Sequence, residues 1–111
     1  MTKQTNANVV PFRPTCSALE REIRALATET GKVYFGTHSR ERMCERGITR
    51  EDAIRVLRTG CIEGDISEGA EQGEWRCKVV ARVKGSREIG VVTIVVINKE
   101  IFVKTVEWED L

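Results

Sequence analysis

The sequence predicts an α+β fold in which short N-terminal helices precede an antiparallel sheet of about four strands. Two observations carry that expectation. Before Gly60, apolar residues recur at helical spacing and the breaks fall at glycines. After Gly60, they alternate at period two, and turn sequences divide them into runs. A chain of 111 residues has the length of one domain. Residues 15–111 are read as that domain and residues 1–14 as a flexible arm.

The arm is polar, and Pro11 and Pro14 discourage regular structure. It lacks an apolar run of signal-peptide length, and no segment reaches the roughly 20 apolar residues of a membrane span. A cytoplasmic protein with no membrane partner is therefore expected. Ser17 and Glu20 have the spacing of a capping box. Leu19, Ile23 and Leu26 form one apolar stripe, and Gly31 is the expected stop of the first helix. The segment KVYF is short, an extended link or an edge strand. A second helix is expected from Ser39 to Arg46, stopped by Gly47. In the third, Thr49 is the N-cap, Glu51 and Asp52 occupy the first turn, and Ala53, Ile54 and Leu57 face the core. Gly60 closes it.

CIEGDI is a weak strand and EGAEQGE a Gly-rich turn. WRCKVVARV alternates clearly, with Trp75, Cys77, Val79, Ala81 and Val83 on one face. EIGVVTIVVI is apolar on both faces, as a central strand is. NK makes a two-residue hairpin connection to EIFVKTVEW, the last strand.

The net charge of +1 predicts no partner, but its distribution is uneven. Every charged residue from Glu63 to Glu74 is acidic, and every one from Arg76 to Arg87 is basic. Arg76, Lys78, Arg82 and Lys84 fall on one face of their strand, a row able to track a phosphate backbone. The outer face of a two-layer domain is polar in any case, so both readings stand. The four cysteines are widely spaced with no C-x-x-C pair, which fits buried free thiols rather than a disulfide framework or zinc site. No cofactor or metal is expected.

His38 is the only histidine. Arg42 and Arg46 follow at four-residue intervals, on one side of a helix. An imidazole can move a proton near neutral pH, and guanidiniums hold phosphate oxygens in pairs. Together at a helix N-terminus they suit a phosphodiester. Arg40, Glu41, Arg42, Glu45 and Arg46 also fit the mixed-charge surface of an exposed helix.

The motif T-H-x3-R-M-x2-R-G-I-T comprises Thr37, His38, Arg42, Met43, Arg46, Gly47, Ile48 and Thr49. It resembles that of a widespread bacterial domain family of unknown function, across about residues 34–107. That family is similar to the small ribonuclease toxins of the RelE and BrnT type. The resemblance implies the same helices-then-sheet layout and a toxin-like, RNA-binding protein. RelE-like toxins often carry a catalytic tyrosine or basic residues near the C-terminus; here the last strand has Lys104 and Thr105 but no tyrosine, and the only tyrosine is Tyr34. The leading expectation is a metal-independent endoribonuclease with His38, Arg42 and Arg46 as its catalytic site and RNA held on the basic strand. The rival is a non-catalytic module of the same fold that binds nucleic acid or a protein, such as a cognate antitoxin.

Overall fold

The computed structural model describes residues 13–110. Most of the predicted arm, residues 1–12, lies outside them. Arg13, at its end, donates to the Ile66 carbonyl at 2.7 Å and lies over the Trp75 ring.

The first helix, α1 (Cys16–Ala27), is followed by a 3-10 turn (Thr30–Lys32) and a short strand, β1 (Val33–Phe35). Next come α2 (Thr37–Arg46), α3 (Arg50–Thr59), β2 (Cys61–Glu68), β3 (Glu74–Lys84), β4 (Arg87–Val96) and β5 (Glu100–Trp108). The α+β class is as expected, but the sheet has five strands in the order β1-β5-β4-β3-β2. The added strand is KVYF, with Val33, Tyr34 and Phe35 paired parallel to Ile101, Phe102 and Val103. All other neighbours are antiparallel. Three residues carry too little period to announce a strand.

Helix boundaries follow the hydrogen bonds of their caps. α1 begins two residues early because Thr15, in extended backbone, accepts from the Ala18 N–H at 3.1 Å. Ser17 is thus inside the helix rather than its cap. The stripe of Leu19, Ile23 and Leu26 is buried as expected, and Gly31 falls in the 3-10 turn rather than ending α1. α2 also begins early, at Thr37 with Gly36 as N-cap, because Ser39 is buried and donates back to the Gly36 carbonyl at 2.9 Å. Gly47 stops α2 in left-handed conformation, and the Ile48 N–H returns to the Met43 carbonyl, a Schellman ending. α3 has a complete capping box: Asp52 N–H donates to Thr49 Oγ1 and Thr49 N–H to Asp52 Oδ2, both at 3.0 Å. At its far end, a Cβ on Gly60 would lie 2.6 Å from the Val80 carbonyl oxygen and 2.7 Å from that of Val56. Glycine is required there because backbone packs against backbone.

α3 packs on β3, β4 and α1, and α2 lies along β5. The covered face of the sheet carries Trp75, Cys77, Val79, Ile89, Val91, Val95, Ile101, Val103 and Val106, all buried. In β5 the register shifts by one residue at Lys104, so that Thr93 faces Val103 while Val92 faces Thr105. This bulge lets Val103 and Val106 both point inward.

The thiols depart from expectation. All four are free, but only Cys77 is buried; Cys16, Cys44 and Cys61 are exposed. Burial pushes the Cys77 thiol up, partly offset by its contact with Thr93 Oγ1 at 3.7 Å. A water-soluble alkylating reagent should therefore label three cysteines in the native protein and Cys77 only on unfolding, counted by intact mass. Labelling of Cys77 at the native-state rate of the others would contradict this placement. Among the described residues, no helix is long and apolar enough to cross a membrane.

Candidate functional site

The chain leaves β1 through Gly36 and enters α2 at once, so the first turn of that helix sits beside the sheet. There it walls a cavity of about 530 Å³ with Glu74 of β3, Ile94 of β4, and Phe102, Val103 and Lys104 of β5. Gly36, Thr37, His38 and Ser39 form the helical side. α1 and α3 each have a side chain capping their first turn, whereas α2 has none. Its first-turn N–H groups thus bring the positive end of a helix to the cavity. Lys104 projects from the bulge, an exposed cation in the same wall.

His38 is exposed in that wall, as the second residue of α2 rather than just before it. The two arginines do not line the cavity with it. Arg42 Nη1 meets Glu45 Oε1 at 2.7 Å, a pair one helical turn apart on a partly exposed surface. Arg46 Nη1 donates to the Val106 carbonyl at 2.5 Å, and Trp108 Nε1 donates to the Arg46 carbonyl at 2.8 Å. These two bonds fasten α2 to β5 beyond the point where β1 stops pairing. Four-residue spacing placed the arginines on one side of a helix, but part of that side is directed along the strand.

The basic row is also redistributed. Lys78 Nζ lies 2.9 Å from Glu109, 3.5 Å from Glu107 and 3.6 Å from Glu63. The hydrogen bond to Glu109 is the main cause holding the Lys78 ammonium above its ordinary range. Arg82 faces Glu88 at 3.8 Å. Arg76 is exposed and has no ion pair among the described residues. Lys84 ends β3, opposite Arg87 in register. The acidic run and the basic run therefore meet across the β2–β3 hairpin, where Glu63 is the register partner of Lys78. The result is cross-strand neutralisation at Lys78 rather than an unbroken cationic face.

Both raised groups favour the fold in the protonated state. Their contribution is complete below the ordinary values, 9.0 for the thiol and 10.5 for the ammonium, and is lost as pH rises through the folded values. Denaturant unfolding should show constant stability from these groups at neutral pH and a decline above pH ~9. An alkaline rise in stability would have the wrong sign.

Lys104 and Phe102 are cavity residues that spacing did not single out, and Tyr34 lies beside the cavity against Phe102. A signal for Lys104 was present. The apolar positions Ile101 and Val103 are followed by Val106 and Trp108, a change of phase that marks a bulge. Tyr34 and Phe102 are the exposed large hydrophobic residues of the described chain, and their rings stack with centroids 5.4 Å apart.

Residues 35–108 match the profile of a family described as Domain of unknown function, DUF4258. The chain belongs to the DUF4258 family. That match begins at the end of β1, ends with β5 and takes in the whole cavity wall, whereas α1 lies outside it. No curated protein and no solved structure gives a significant match.

Proposed function

We propose that this DUF4258 protein is a small toxin-like RNA-binding protein of RelE/BrnT type, acting in the cytoplasm as a metal-independent endoribonuclease. The observation that carries the reading is the meeting of His38, Lys104 and an uncapped helix start in one cavity. In the reaction, the 2′-hydroxyl of a nucleotide attacks the adjacent phosphorus and loses its proton to His38. The bond from phosphorus to the 5′ oxygen breaks, that oxygen takes a proton from water, and a 2′,3′-cyclic phosphate remains. Charge building on the phosphoryl oxygens is met by Lys104 and the N–H groups of the first turn of α2.

Arg42, outside the cavity wall, clamps a neighbouring phosphate of the strand, because a surface pair such as Arg42–Glu45 is worth only about 0–1 kcal/mol and yields to a phosphate. Arg46 serves the site by anchoring α2 to β5. Of the basic strand, Arg76 and Arg82 hold RNA, the exposed Arg82–Glu88 pair at 3.8 Å yielding in the same way, while Lys78 is engaged by three carboxylates. The test is incubation of RNA with the protein in EDTA, comparing wild type with His38→Ala. Cleavage lost in the variant supports the reading; equal cleavage by both, or none by either, counts against it.

The second reading is a non-catalytic module of the same fold that binds nucleic acid or a protein such as a cognate antitoxin. Its support is that Arg42 and Arg46 are both occupied by partners within the chain. It requires RNA or partner binding that is unchanged by His38→Ala, with no cleavage.

A further inference from the structure

We infer that Tyr34 and Phe102 form a platform on which unpaired bases of single-stranded RNA stack beside the His38 cavity. The inference rests on the reading of this cleft as an RNA site and adds what that site selects: nucleotides whose bases are free of a duplex.

The register places the two rings in a single row across the sheet. Tyr34 pairs with Phe102, Phe102 with Ile94, and Ile94 with Arg76. All four lie on the face turned away from α1 and α3, opposite in alternation to the buried Val33, Val103, Val95 and Cys77. Large aromatic side chains ordinarily supply a core. Here Tyr34 is 46% and Phe102 39% exposed, and the rings are 28° from parallel. They bury part of each other and leave the rest of their π faces to an occupant.

Charge decides between occupants. An apolar strip alone would suit a protein as well as a nucleic acid. This strip ends in the Arg76 guanidinium on one side, and Phe102 itself walls the cavity that holds Lys104 and His38. The acid in that wall, Glu74, turns back to accept from the Glu71 N–H in its own turn. The next row on this face, Glu100–Val96–Glu74, is acidic at both ends and leaves the phosphates the side of Lys104 and Arg76. Flat rings with cations along that side match a chain of bases joined by phosphates. Stacking on aromatic side chains tolerates any base and requires that the base be unpaired.

The experiment measures anisotropy of a labelled, unstructured 2′-O-methyl RNA, which binds without being cleaved. It uses wild type, Phe102→Leu, and Tyr34→Leu/Phe102→Leu. Leucine keeps an apolar side chain and removes the π face, and thermal melts verify that each variant is folded. Phe102→Leu is expected to weaken binding roughly 10-fold and the double variant more. An abasic oligonucleotide, which keeps the phosphates, should bind the wild type as weakly as the base-bearing RNA binds the double variant. A duplex should also bind weakly. Equal affinity of the folded variants and wild type, equal affinity for abasic and base-bearing strands, or no RNA binding at low salt would overturn the platform. The last outcome, joined to capture of a protein by this face, would make the row a protein-docking strip. The two proposals fail separately: base-dependent binding without cleavage removes only the ribonuclease, and His38-dependent cleavage without any effect of Phe102→Leu removes only the platform.

Discussion

Replacing His38 with alanine is expected to slow RNA cleavage by about 10²-fold or more, the usual contribution of a group that moves a proton in the transition state. The variant should fold normally, because the side chain is exposed and contributes little to the core. Single-turnover cleavage at saturating protein measures the effect, with circular dichroism as the control. The pattern across variants is as informative as the size. Lys104→Ala should also slow the chemical step. Arg46→Ala should lower stability by roughly 1 kcal/mol, because it breaks the bond from α2 to the Val106 carbonyl. A His38→Ala protein that cleaves at the wild-type rate would remove the imidazole from the mechanism.

Replacing Leu57 with alanine should cost about 2–5 kcal/mol of stability, the range for a fully buried leucine that leaves a cavity. Leu57 lies on the inner face of α3, and that helix packs on β3 and β4. The urea midpoint should fall substantially with little change in slope. The same truncation at Phe102, on the open face, should cost far less. Equal losses at the two positions would mean that the apolar row Tyr34–Phe102–Ile94 is itself packed against something in solution.

The contrast between α3 and α2 shows which parts of the fold were legible. Everything that defines α3 is local: the Thr49 cap, the acidic first turn, the buried stripe and the glycine at the end. Each could be placed from a window of a dozen residues. α2 has the same local signals, but Ser39 misled because its hydroxyl is used from inside the helix, in a buried position set by tertiary packing. KVYF could be narrowed only to an extended link or an edge strand, because β1 is three residues long and its partner is at the other end of the chain; the edge strand is what forms. Of the site, His38 stood out by being unique and by its place next to a helix start. The bond from Arg46 to β5 was not legible, since its partner Val106 lies 60 residues away. The two blocks of opposite charge were visible, yet their meaning depended on register: only the pairing of Glu63 with Lys78 shows that they neutralise each other.

The fastening of α2 along β5 also limits how copies of this chain can associate. A sheet invites further strands at its margins, where backbone donors and acceptors lack partners. At one margin β1 presents three residues, and beyond it the Arg46 guanidinium already occupies the Val106 carbonyl. The opposite margin, β2, is eight residues long, but the Glu20 carboxylate accepts from its Ile62 N–H and Arg13 donates to its Ile66 carbonyl. Glu63, Asp65 and Glu68 add like charges along it. Side chains thus hold backbone groups at both ends of the sheet, and a strand arriving from another copy has to displace them before it can pair.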